Sequence, residues 1–236
     1  MAAKNGHFEI LKWAKENDAF WDSFTCCFAA LNGHLEILQW ARANNCPWTS
    51  RTCSYAARGG HFETLQWAKD NGCELNPDAG AFAARKGHLP ILQYLKQNGC
   101  RWICYTAALA AEGGHLEVLK WLRENGCPWD SNVCAFAAEK GHFDILKWAR
   151  ENGCEWDTRT CQLAALGGNF AILKWARENG CPWDEQTCES AAMKGHLEIL
   201  QWAVENGCEL EKRNCLKMAT ENSCLKVVKW LNSIKE

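Results

Sequence analysis

The chain is 236 residues long and sets 26 Lys and Arg against 28 Asp and Glu, a formal net charge of −2. So even a balance argues against a dedicated binder of nucleic acid or anionic membrane, which carries a basic excess. No apolar run approaches the roughly 20 residues that span a bilayer, and the N-terminus lacks a secretory pattern, so 16 Cys without an export route point to reduced thiols in the cytosol or nucleus.

The high counts of Cys and Trp, 16 and 14, have one source, a unit repeated every 27 residues. Gly-His marks it at Gly6-His7, Gly33-His34, Gly60-His61, Gly87-His88, Gly114-His115, Gly141-His142 and Gly195-His196, with Gly168-Asn169 in the remaining slot. With that Gly as position 0, position 7 is Trp13, Trp40, Trp67, Tyr94, Trp121, Trp148, Trp175 and Trp202. Position 13 is Cys in every copy from Cys46 to Cys208, after Ala19 in the first. Position 15 is Trp in six copies, with Leu75 and Leu210 as stand-ins, and position 20 is Cys26, Cys53, Cys134, Cys161, Cys188 and Cys215, with Gly80 and Ala107 elsewhere.

In chain order, the sequence opens on the stub of a helix, and each Gly-His then starts another. In Leu116-Glu117-Val118-Leu119-Lys120-Trp121-Leu122-Arg123-Glu124 the apolar residues form one broad helical stripe. Glu117 sits favourably in the first turn, and Asn125-Gly126 supplies the stop. The next helix begins after Pro128-Trp129-Asp130, where Asp22, Asp130, Asp157 and Asp184, or the Ser and Thr that follow them, serve as N-caps. It runs through Cys134 and the small pair Ala137-Ala138, a pair that recurs in seven copies and lets neighbouring helices approach closely. No copy alternates like a strand. Helices of about nine residues need stacked neighbours to bury their faces, which predicts an all-α helix–turn–helix solenoid. We expect one domain over residues 1–236: a half repeat, about eight full helix pairs, and a degenerate polar cap over about 215–236 that gains Lys226, Lys229 and Lys235.

The string Ala-Ala-x-x-Gly-His-Leu-Glu-[Ile/Val]-Leu-Lys followed by Glu-Asn-Gly-Cys resembles the ankyrin repeat across the whole chain. The unit is shorter than the usual 33 residues, and segments such as Arg159-Thr160-Cys161-Gln162 stand where that family has Thr-Pro-Leu-His. The resemblance implies shortened or absent β-hairpin fingers. It also implies a His that braces the inter-helix turn, Cys at positions 13 and 20 in the core, and a concave surface lined by the Ala-Ala helix. Trp at position 7 is expected in a buried Leu slot, and Trp at position 15 as a plug for the base left by the missing finger. Cys27 and Cys104 break the register and are expected to be the exposed thiols.

Cys-x6-Cys, as in Cys46/Cys53 and Cys127/Cys134, suggests metal binding or a disulfide ladder. Zinc sites need four ligands at tighter spacing, and free Cys behaves as a small core hydrophobe, so core packing is the favoured reading. No phosphate loop, nucleophile elbow or paired carboxylate stands out, and neither catalysis nor a cofactor is expected. Positions that vary between copies are those released from scaffold duty. Position 18 (Phe24, Arg51, Asp78, Tyr105, Asn132, Arg159), position 21 and position 25 (Arg58, Arg85, Glu112, Glu139) are spaced to share one face of the Ala-Ala helix. Mixed charge with aromatic anchors suits a protein or peptide ligand on that concave face, bound by a monomeric scaffold that engages neither nucleic acid nor membrane. Two alternatives stay open: a redox- or metal-responsive protein that uses the Cys lattice, and a structural spacer within a longer chain. Lys12, Gln39, Lys120, Lys147 and Lys174 read as a solvated face.

Overall fold

The computed structural model describes residues 1–234. Lys235, expected in the polar cap, lies outside the described residues. Among the described residues there are seventeen α-helices of nine or ten residues and no strand. The odd-numbered helices follow Gly-His or its substitutes: α1 (Phe8–Glu16), α3 (Leu35–Ala43), α5 (Phe62–Asp70), α7 (Leu89–Gln97), α9 (Leu116–Glu124), α11 (Phe143–Glu151), α13 (Phe170–Glu178), α15 (Leu197–Glu205) and α17 (Leu225–Ser233). The even-numbered helices carry the Cys and Ala slots: α2 (Ser23–Leu31), α4 (Ser50–Gly59), α6 (Pro77–Arg85), α8 (Cys104–Glu112), α10 (Asn132–Lys140), α12 (Thr158–Gly167), α14 (Glu185–Lys194) and α16 (Lys212–Glu221).

The chain forms two compact units, Met1–Pro128 and Trp129–Glu236. In the first, α2, α4, α6 and α8 pack in series, and α3, α5, α7 and α9 each pack on the even helix before them. In the second, α10, α12, α14 and α16 form the series, with α11, α13, α15 and α17 against it. This neighbour-to-neighbour packing is that of a helical repeat solenoid. Nine-residue helices are marginal in water, so the burial between copies holds them. The Ala pairs Ala29-Ala30, Ala56-Ala57, Ala83-Ala84, Ala110-Ala111, Ala137-Ala138, Ala164-Ala165 and Ala191-Ala192 are fully buried, as are Leu38, Leu65, Leu92, Leu119, Leu146, Leu173 and Leu200 from the odd helices.

Local chemistry sets the ends of each helix. Asp22, Asp157 and Asp184 cap even helices, their carboxylates accepting from the amides of Phe24, Arg159 and Gln186 at 2.9, 3.0 and 3.2 Å. Asp130 accepts from the Asn132 amide at 3.0 Å in the same way. At the odd helix ends the Asn side chain reaches back to a last-turn carbonyl, as Asn125 does to Trp121 at 2.7 Å. The amide of Cys127 then bonds the Leu122 carbonyl at 2.9 Å across the left-handed Gly126. Asp18 and Asn45 take that left-handed position in two copies, which short polar side chains tolerate.

The Gly-His pair is an inter-repeat joint. The His ring of one copy lies against the Gly of the copy before it: a Cβ at Gly87 would come within 2.7 Å of His115. The same ring reaches a backbone carbonyl of the copy before it: His115 Nε2 to the Arg85 carbonyl at the end of α6 at 3.1 Å, and His34 Nε2 to the Lys4 carbonyl in the N-terminal turn at 3.2 Å. Asn169 reproduces this with its amide, which donates to the carbonyls of Ala138 and Glu139, both at 2.8 Å. The histidine therefore braces the turn, as the resemblance implied.

Candidate functional site

Helical spacing and burial decide which variable positions reach solvent. In the first unit Phe24, Arg51, Arg58, Asp78, Arg85 and Tyr105 are exposed and Glu112 is half-buried. In the second unit Arg159 is exposed while Asn132 and Glu139 are half-buried. Position 21 does not belong with them in the first five copies. Cys27, Ser54, Ala81, Ala108 and Ala135 are buried, because that position turns toward the next even helix. Cys27 is accordingly only 1% exposed, against the expectation of an open thiol, and the Thr52 hydroxyl lies 3.7 Å from its sulfur. Cys104 is exposed as expected.

In the first unit the exposed side chains rest on a row of aromatic residues at position 22 that the variation between copies did not single out. Phe24 stacks on Phe28 with centroids 6.0 Å apart, and Phe28 meets the edge of Tyr55 at 6.4 Å. The Arg58 guanidinium lies 5.8 Å from the Phe82 ring. Arg85 is engaged with Glu112 of the next copy at 2.5 Å, so the basic and acidic ends of this face neutralise each other in part. The signal for the aromatic row was conservative exchange, Phe28, Tyr55, Phe82 and Leu109. In the second unit Glu139 pairs with its neighbour Lys140 at 2.6 Å, and the Arg159 side chain stands at the exposed start of α12.

The tryptophans depart from expectation. They are half-buried at the surface of the repeat joints, not in the core, and Trp13 is 64% exposed. Position 15 of one copy meets position 7 of the next edge to face: Trp21 with Trp40, Trp48 with Trp67, Trp102 with Trp121, Trp129 with Trp148, Trp156 with Trp175 and Trp183 with Trp202, at 5.4 to 6.2 Å. Arg42, Arg150 and Arg177 roof Trp48, Trp156 and Trp183 at 4.2, 4.1 and 4.1 Å and also donate to the carbonyls of Cys46, Cys154 and Cys181. The supposedly solvated Lys12, Lys147 and Lys174 likewise lie over Phe8, Phe143 and Phe170. A polar roof over paired rings lets them pack at a wet boundary. Where Leu75 stands in for Trp, an open hollow of about 570 Å³ remains between the Cys73–Pro77 and Asn98–Arg101 turns.

Burial raises the thiols of Cys27, Cys100, Cys127 and Cys215 above their ordinary range. Burial lowers the His88 imidazole, and burial raises the Tyr94 phenol. Among the described residues no group of three or more His, Cys, Asp or Glu is placed to hold a metal ion, and no helix is long and apolar enough to cross a membrane.

Residues 134–177, which run from within α10 through most of α13, match the model of a family described as ankyrin repeats with many copies. The matched stretch is similar to ankyrin repeats, and the seventeen-helix series around it repeats the same ankyrin-like helix pair. Ankyrin repeats are generally protein–protein interaction modules and typically non-catalytic. No curated protein matches the chain.

Proposed function

We propose that this protein is a non-catalytic scaffold that binds a protein or peptide along the even-helix side of its first unit, the side that the ankyrin resemblance makes concave. The observation that carries this reading is the contrast between positions on the same helices. The Ala and Cys slots are buried and nearly constant, while Phe24, Arg51, Asp78 and Tyr105 at position 18 are exposed and differ among the four copies of the first unit. Phe24 and Tyr105 are 43% and 47% exposed, large rings of the kind that anchor interfaces. Arg51 and Arg58 supply forked donors beside them. Asp78, Arg85 and Glu112 then set the polar rim, with Asn132, Glu139 and Arg159 as the corresponding positions of the second unit. No cofactor takes part, and the scaffold acts as a monomer.

The test is affinity capture from lysate with three immobilised proteins. One is wild type, one carries Arg51→Glu, Arg58→Glu and Tyr105→Ala, and one carries Lys147→Glu and Lys174→Glu on the opposite helix row. Circular dichroism checks that all three stay folded. The reading requires a protein retained by wild type and by the lysine variant and lost from the even-helix variant. Equal retention by the first two, or loss only from the lysine variant, contradicts it.

A further inference from the structure

Three of the repeat joints hold three rings each. The position-7 ring of one copy receives positions 2 and 15 of the copy before it. Trp40 takes Phe8 at 5.5 Å and Trp21 at 5.4 Å. Trp175 takes Phe143 and Trp156 at 5.5 and 5.8 Å, and Trp202 takes Phe170 and Trp183 at 5.6 and 5.7 Å. A cation at position 9 covers the position-15 ring: Lys15 lies 4.9 Å from Trp21, and Arg150 and Arg177 each lie 4.1 Å from Trp156 and Trp183.

The joint at Tyr94 keeps every part of this arrangement but one. Tyr94 takes Phe62 edge-on at 5.2 Å, and Lys69 stands at position 9. Position 15 is Leu75, far smaller than an indole. The open hollow of about 570 Å³ there is lined by Lys69, Leu75, Asn98 and Arg101 together with the two turns, and no ring is among its lining residues. The joints at Trp175 and Trp202 also leave hollows, of about 520 and 460 Å³, but there the tryptophans themselves form the lining. Phe62 is 38% exposed, whereas Phe8, Phe143 and Phe170 are half-buried under Lys12, Lys147 and Lys174. Gln66 stands where those lysines do. The walls are fixed by hydrogen bonds. Cys73 Sγ donates to the Thr49 carbonyl at 3.3 Å and Cys100 Sγ to the Asn76 carbonyl at 3.4 Å. The Asn76 side-chain oxygen accepts from the Ala79 amide at 3.3 Å and from the Ser54 hydroxyl at 2.6 Å. The hollow is thus preformed, so an occupant need not order its walls.

We propose that this joint is a docking site for a tryptophan side chain of a protein partner, seated beside Leu75 where six other copies place a ring of their own. The repeat identifies the occupant. The same turn, a position-7 aromatic and a position-9 cation accept an indole in the neighbouring copies, and only the ring is missing here. An indole packs its apolar body against Leu75 and Tyr94 while its N–H stays at the wet boundary, and the Lys69 ammonium lies on the side from which a cation covers the ring elsewhere. Arg101 and Glu74 stand exposed at the rim and meet the polar backbone on either side of the inserted residue. None of the position-18 or position-25 residues lines this hollow, so it is a second contact, independent of the even-helix side.

The test titrates the ¹⁵N-labelled full chain with N-acetyl-tryptophanamide and, separately, with N-acetyl-leucinamide, and follows the backbone amides by NMR. The proposal predicts saturable shifts from the tryptophan probe at Gly72, Glu74, Gly99 and Arg101, with weaker binding of the leucine probe. The corresponding amides of a joint that has its own ring, Gly153, Glu155 and Gly180, should not respond. Leu75→Trp is expected to rebuild the three-ring joint, abolish the response and raise the thermal midpoint. If that variant does not fold, the comparison of the two joints within wild type decides. Lys69→Ala is expected to weaken binding about two- to fivefold, as loss of a cation–π contact does. The variant carrying Arg51→Glu, Arg58→Glu and Tyr105→Ala should bind the probe unchanged, which keeps this proposal separate from the even-helix reading. No saturable shift at these amides would overturn the proposal. So would equal binding of the leucine probe, an equal response at Gly153 and Gly180, or a folded Leu75→Trp variant that still binds.

Discussion

Gly87 and Gly99 both hold φ at +75°, yet only one of them has a neighbour where a side chain would go. A Cβ at Gly87 meets the His115 ring at 2.7 Å, whereas nothing lies within 4 Å at Gly99. Gly99→Ala is therefore expected to cost only the left-handed penalty, about 1–2 kcal/mol. Gly87→Ala carries the same penalty and must also displace the ring, so its denaturant midpoint should fall clearly further. Equal midpoints would mean that the Gly-His joint is not a tight contact. His88 gives the same joint a pH dependence. Burial lowers its pKa from the ordinary 6.5, so the folded state binds fewer protons than the unfolded state in that range. Stability is then full above the ordinary value and declines as pH falls through the lowered one. His88→Asn, the exchange already present at Asn169, should flatten the decline in midpoint below neutrality. The side chains that face His88 and bear on this titration are His61, His115 and Lys86, with the Arg58 carbonyl as its acceptor.

Each helix has ends legible in the sequence and a burial pattern only partly so. Asp157 caps α12 through the Arg159 amide, and Asp157→Ala should cost about 1 kcal/mol in equilibrium unfolding, with little change if Asp157 is instead replaced by Ser. Helix type, spacing, stops and caps follow from local rules, and the seventeen helices realise them. The side on which a constant residue is buried does not follow from constancy. Cys and Trp recur with equal regularity, yet the thiols are core and the rings form the surface of the joints. The discriminating signal was the partner: Arg42, Arg150 and Arg177 precede Trp48, Trp156 and Trp183 by the same six residues, and a guanidinium needs water. Arg177→Ala is expected to cost about 1 kcal/mol, as a partly desolvated cation–π contact does, with Arg177→Lys intermediate in the same unfolding measurement. The contact of the turn thiols with the preceding copy, as in Cys154 to the Asp130 carbonyl at 3.3 Å, was also hidden, because it depends on how copies stack. Cys27 was misplaced for a related reason: its helix face turns toward the next copy, where Thr52 meets it.

For the whole molecule, the repeat separates scaffold from specificity. Copies share joints, caps and core, and differ at Phe24, Arg51, Asp78 and Tyr105 and at position 25, where Arg58 and Arg85 give way to Glu112. The candidate residues were legible because eight near-copies act as their own control. Their interactions were not: the ion pair between Arg85 and Glu112 and the edge contact of Phe28 with Tyr55 arise only when the copies are packed. The proposed partner binding by the even-helix side of the first unit is open to direct test. The most direct measurement is hydrogen exchange of the protein with and without the partner that wild type retains. Added protection confined to the N-terminal turns of α2, α4, α6 and α8 and to the ends that carry Arg58 and Arg85 is the predicted result. Protection centred on the odd helices and their tryptophan pairs, with α4 and α8 unchanged, would contradict it.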